Sequence, residues 1–84
     1  MSWQIKWSDE SVRDMLNLDK TVYTRIIKKL ESTTADPHRF FQKLAGADDY
    51  KLRVGDYRII ALLFSNSKTI FIEKVNHRSR VYKK

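Results

Sequence analysis

An α+β fold is predicted by three features of this 84-residue chain. The N-terminus alternates apolar and polar residues. Two runs at helical spacing follow it, and the second half holds three consecutive strand-like segments. The expected architecture is an N-terminal strand and a two-helix hairpin packed on one face of a mainly antiparallel sheet of about four strands, with a basic C-terminal tail. A chain of this length is expected to form one domain, residues 1–84, around one modest core.

Each element has a local cause. Trp3, Ile5 and Trp7 alternate with Ser2, Gln4 and Lys6, which gives a first strand with one apolar face. Ser8, followed by Asp9 and Glu10, marks a helix start: a capping hydroxyl, then acids where the helix dipole favours them. Val12, Met15 and Leu16 supply a short apolar stripe for this helix, and Asn17 breaks it. Asp19 caps a second helix, in which Val22, Tyr23, Ile26, Ile27 and Leu30 recur at helical spacing. The stretch from Thr33 to Pro37 ends it. The segment HRFFQKLAG admits either a helical turn or an extended connection, and Gly46 to Asp49 reads as a loop. Strands are expected over 50–54, 57–65 and 69–76, with tight turns at Gly55-Asp56 and near Asn66-Ser67. Residues 57–64 are apolar on both alternations except at Arg58, the pattern of a central strand covered on both faces.

The turns set the register, and the two-residue period sets the faces. A turn at Gly55-Asp56 pairs Val54 with Tyr57, Arg53 with Arg58 and Leu52 with Ile59. A turn at Asn66-Ser67 pairs Leu63 with Ile70, Ala61 with Ile72 and Arg58 with Val75. One face then carries Tyr50, Leu52, Val54, Tyr57, Ile59, Ala61, Leu63, Ile70 and Ile72, and the helices are expected to cover it. The other carries Lys51, Arg53, Arg58, Ile60, Leu62, Phe64, Phe71, Glu73, Val75 and His77. It is cationic at one end and apolar at the other, a combination that suggests a binding surface. Ordinary roles exist for each cation: Lys51 paired with Glu73, Arg53 in solvent, Arg58 held by an acidic group. Their convergence with His77 and the basic tail Arg78, Arg80, Tyr82, Lys83 and Lys84 favours an anion site.

Charge points the same way. Seventeen Lys and Arg against ten Asp and Glu give a formal net charge of +7. That favours a polyanionic partner: nucleic acid first, an anionic membrane or acidic protein second. The N-terminal MSWQIKWSDE lacks the apolar segment of a secretory signal, and no stretch has the apolar length of a membrane span. With two His, no Cys and no clustered acids, no metal site or other cofactor is expected. Neither a glycine-rich phosphate loop nor a serine-nucleophile motif is present.

Guanidiniums and amines gathered on one face suit a phosphate. A phosphoryl transition state gains negative charge on its equatorial oxygens, so preorganised cations stabilise it more than the ground state. RNA carries its own nucleophile, the 2′-hydroxyl. Its cleavage needs cations, a proton acceptor for that hydroxyl and a donor for the departing 5′ oxygen. His77, with an unperturbed pKa near ~6.5, suits either proton role, or it is a strand-end histidine bonded to backbone. Tyr82, unperturbed near ~10, can accept a proton, stack on a base or pack on the sheet edge. His38, beside Pro37 and Arg39, reads as surface.

The order strand, helix hairpin, YKLRVGDYRII hairpin, third strand and terminal VNHRSRVYKK resembles the RelE/ParE toxin superfamily of toxin–antitoxin systems over the whole chain. The most specific parts are KLAG before the sheet, YKLRVGDYRII and VNHRSRVY. The resemblance implies a RelE-like mRNA interferase of a type II system: a cytoplasmic, metal-independent endoribonuclease acting on mRNA in the ribosomal 30S A site, against 16S rRNA, and leaving a 2′,3′-cyclic phosphate. It implies that Lys51 and Arg53 match the basic strand positions that bind substrate, and that Arg58 matches the Tyr-Arg motif. Arg78 matches the tail arginine, and Tyr82 the tyrosine that stacks on or activates the substrate. The segment between Arg78 and Tyr82 is shorter than in the bacterial prototype, and His77 stands where Lys is common. Arg58, Arg78, Tyr82 and His77 are therefore the expected catalytic set, with Lys51, Arg53, Arg80, Lys83 and Lys84 binding substrate. The resemblance also implies a cognate antitoxin, with DNA bound only through it and no membrane partner. The competing expectations are a ParE-like inhibitor of DNA gyrase, which needs no catalytic cluster, and a non-catalytic RNA- or ribosome-binding module.

Overall fold

The computed structural model describes residues 2–77. Along the chain run β1 (Gln4–Trp7), α1 (Asp9–Leu16), α2 (Lys20–Thr33), α3 (Pro37–Phe40), β2 (Gln42–Lys43), β3 (Tyr50–Val54), β4 (Tyr57–Phe64) and β5 (Thr69–His77). The five strands form one sheet in the order β1-β5-β4-β3-β2, with β1 parallel to β5 and the other pairs antiparallel. The expected α+β architecture is present, with one strand more than the four anticipated. The addition is β2, and HRFFQKLAG turns out to be both of its alternatives: Pro37 opens one helical turn, and Gln42-Lys43 then extend along β3. Phe41 is buried between them and anchors the change of conformation.

The helix starts follow the capping residues. Ser8 Oγ accepts from Ser11 N at 3.0 Å, and Asp19 Oδ1 accepts from Val22 N at 3.0 Å. Each cap satisfies an orphan first-turn donor and is worth about 1 kcal/mol. Ile26 and Leu30 of α2 are fully buried and pack with Leu52, Ile59, Ala61, Ile70 and Ile72 of the sheet. Every residue assigned above to the helix-covered face is in this core or packed against it.

The α1 stripe departs from expectation. Met15 is buried, but Val12 is 43% and Leu16 73% exposed. The reason lies at the edge of the sheet. Parallel pairing of β1 with β5 stops at Trp7 and Ile72, and α1 takes over beyond that point. Ser8 N donates to Ile72 O at 2.9 Å, Ser8 Oγ donates to Glu73 O at 2.7 Å, and Val75 N donates to Asp14 Oδ2 at 2.9 Å. The helix therefore satisfies a strand edge that would otherwise be open. Ser11, Asp14 and Met15 face inward to do so, while Val12 and Leu16 turn out.

The strand β4 lies inside the sheet, yet only one of its faces is covered. Ile59 and Ala61 are fully buried under the helices, whereas Ile60 and Leu62 are half-buried and Phe64 is 48% exposed. Among the described residues, no element lies over this second face.

Candidate nucleic-acid interface

The β3–β4 hairpin places the cations. Gly55 has φ +58°, the left-handed conformation that a two-residue hairpin turn requires and that glycine adopts without strain. The register is the one predicted, with Val54 opposite Tyr57, Arg53 opposite Arg58 and Leu52 opposite Ile59. Arg53 and Arg58 are thus cross-strand neighbours on the open face, and Lys51 shares it two residues away. Arg53 is exposed, while Lys51 and Arg58 are half-buried. Facing like charges are destabilising in the free protein.

The next strand changes the constellation. Leu63 pairs with Ile70 and Ala61 with Ile72, as expected, but a bulge between Ile60 and Ala61 shifts the rest. Ile60 pairs with Lys74, Ile59 with Val75, Arg58 with Asn76 and Tyr57 with His77. Glu73 is the extra residue. A one-residue slip reverses every face beyond it, which corrects two placements. Val75 is core rather than open face, with 6% exposure. His77 lies on the side of Tyr57, its ring edge-on to the tyrosine with centroids 5.0 Å apart, and not beside Arg58. Opposite Ile60 and Arg58, Lys74 and Asn76 take the positions that sequence alternation gave to Glu73 and Val75. His38 is exposed, as expected, although its ring is edge-on to both Trp3 (5.5 Å) and Tyr50 (5.7 Å). Arg78, Arg80, Tyr82, Lys83 and Lys84 lie outside the described residues.

Two parts of the site were not read from the sequence. At the β2 edge, a cleft of about 350 Å³ is lined by Phe40, Gln42, Lys51 and Arg53. Gln42 is the direct cross-strand partner of Lys51, and its neighbour Phe41 turns into the core. Alternation in FFQK carries this signal once one phenylalanine is known to be buried. The other part is a pair of carboxyls, Glu73 and Asp49. The Glu73 carboxyl is pushed up to about 7 by its hydrogen bond with Asp49, then by burial and by the charges of Asp49 and Glu10, with Lys74 opposing. Glu73 Oε1 is shielded and has no partner when both carboxyls are ionised, since each then only accepts. A proton held by Glu73 satisfies the pair. Glu73 therefore turns to Asp49 and does not play the role of counter-ion to Lys51. Among the described residues, no group of three or more His, Cys, Asp and Glu is placed to hold a metal ion.

Comparison with known proteins decides the family. The model of the ParE toxin of type II toxin–antitoxin systems (parDE) matches residues 5–82. The chain belongs to the RelE/ParE toxin superfamily. This toxin is 28% identical over 83 residues to a RelE-like toxin protein of Escherichia coli, covering 95% of the chain and 87% of that relative. Its structure matches the archaeal RelE–RelB complex of Pyrococcus horikoshii with a TM-score of 0.76 and 28% identity, over 95% of this chain and 99% of the matched one. A chain of the RelBE2 toxin–antitoxin complex of Mycobacterium tuberculosis matches with a TM-score of 0.86 over 93% of this chain and 100% of that one; at 20% identity this shows the shared fold. The protein is thus a RelE-like toxin of a type II toxin–antitoxin system. No helix among its described residues is long and apolar enough to cross a membrane.

Proposed function

We propose that this toxin is an endoribonuclease that cuts mRNA in the ribosomal A site without a metal ion. The observation that carries the reading is the group of Lys51, Arg53 and Arg58 on one open sheet face beside a polar cleft. Three cations at this spacing bind the phosphate and stabilise its equatorial oxygens as charge builds there. The 2′-oxygen attacks phosphorus as its proton leaves, the bond to the 5′ oxygen breaks, and that oxygen takes up a proton. The products are a 2′,3′-cyclic phosphate and a 5′-hydroxyl. Arg58 is assigned to transition-state charge, and Lys51 and Arg53 to substrate binding. Arg78 and Tyr82 are assigned to the same reaction by their match to the family motif, with Arg80, Lys83 and Lys84 on the RNA backbone. His77 lies on the Tyr57 side of the strand, so the role of proton acceptor is assigned to Tyr82.

The partner is a cognate antitoxin, as in the archaeal RelE–RelB complex. An acidic antitoxin segment over the open face would relieve the Arg53–Arg58 repulsion. DNA is reached only through that antitoxin, the setting is cytoplasmic, and residues 1–84 act as one domain.

Primer extension on translated mRNA after induction tests the reading. Arg58→Ala should lose cleavage by at least a hundredfold while keeping its circular dichroism and melting transition. Cutting at the wild-type rate by a folded Arg58→Ala variant would refute it. The ParE description of the matching family supports a second reading, inhibition of DNA gyrase. Inhibited supercoiling by purified toxin that cleaves no RNA would favour it.

A further inference from the structure

We propose that the β2 edge of the open face is a base-reading subsite, in which Gln42 selects adenine and Phe40 stacks against it. This rests on the RNA-cleavage reading and deepens it. The cleft there, about 350 Å³, is of a size that holds a small ligand. Its lining joins three kinds of group that a nucleotide needs. Lys51 and Arg53, about 7 Å apart along one strand face, supply phosphate contacts. Gln42 stands directly opposite Lys51, so its amide is held beside the phosphate position by a strand and not by a loop. A glutamine amide both donates and accepts, which matches the N7 acceptor and N6 donor of adenine together. Phe40 is 38% exposed, a ring left at the cleft by the inward turn of Phe41. The Lys29 ammonium lies 5.3 Å from its centroid, a cation–π contact on that ring. Stacking on such a ring tolerates any base, so discrimination falls to Gln42. The strand geometry thus assigns backbone binding to β3 and base choice to β2.

The test maps cleavage ends on translated mRNA for wild type, Gln42→Ala and Gln42→Glu, alongside NMR titration of each protein with 5′-AMP and 5′-CMP. Wild type should favour adenine at one fixed position beside the cut. Gln42→Ala should lower that preference about tenfold. Gln42→Glu, which only accepts, should move it toward cytosine, whose N4 donates. In the titration, 5′-AMP should shift the Gln42 side-chain amide more than 5′-CMP does. Because Gln42 is exposed on a two-residue edge strand, these variants fold, and melting curves verify it. An unchanged base preference in Gln42→Ala overturns the subsite while leaving the nuclease reading intact. If wild type cuts no RNA, that reading fails, and the subsite stands or falls on the 5′-AMP shift at Gln42.

Discussion

Replacing Glu73 with glutamine should stabilise the toxin above neutral pH. In the folded chain the Glu73 carboxyl titrates near 7 rather than at its ordinary 4.5. The native state therefore binds more protons than the unfolded state between those values, and stability falls as pH rises through that window. Below about 4.5 both states are protonated and the penalty vanishes; above about 7 it is complete. A shift from 4.5 to about 7 corresponds to an upper limit near 3.4 kcal/mol. Glu73 is only half-buried, so solvent screening reduces this to about 1 kcal/mol. Glu73→Gln keeps the shape, removes the charge and can donate to Asp49. At pH 8 it should raise Tm by about 4–8 °C, with little gain at pH 4.5. Asp49→Asn should flatten the same pH dependence, and the double variant should add little to either. Thermal melts from pH 4.5 to 8 measure all of this. A Glu73→Gln variant with the wild-type pH slope, or one less stable at pH 8, would refute the carboxyl-pair argument.

Two other perturbations probe the frame and the open face. Ser8→Ala removes both the cap on Ser11 N and the bond to Glu73 O, and should cost about 1–2 kcal/mol in urea denaturation with an unchanged m-value. Arg53→Ala relieves the facing charge of Arg58 and should gain a few tenths of a kcal/mol in stability. It should also reduce the salt slope of single-stranded RNA binding by about 0.7, the share of one phosphate contact.

The parts of the fold that sequence reveals are those with local causes. Ser8 and Asp19 announce their helices because a cap is a chemical requirement within three residues. The Arg53–Arg58 pairing follows from Gly55-Asp56 because a two-residue turn leaves one register open. The bulge has no comparable local cause, and it moved His77 away from the basic face. One trace of it is visible in retrospect. The core residues Ile70, Ile72 and Val75 step by two and then by three, with Glu73 and Lys74 adjacent between them. Val12 and Leu16 misled because α1 serves a strand edge, a tertiary demand that propensity does not express. The continuous apolar run of β4 likewise suggested burial on both sides, whereas one side stays uncovered by the described residues.

The parallel pairing of β1 with β5 has a consequence for the order of events during synthesis. Gln4 and Thr69, joined side chain to side chain at 3.0 Å, are 65 residues apart. The first strand to leave the ribosome thus waits for the last, and contacts of such separation form late. The partner of Arg58 across β4 and β5, Asn76, belongs to the same final strand. The sheet of this toxin is thereby completed only after Thr69 and the strand behind it have been made.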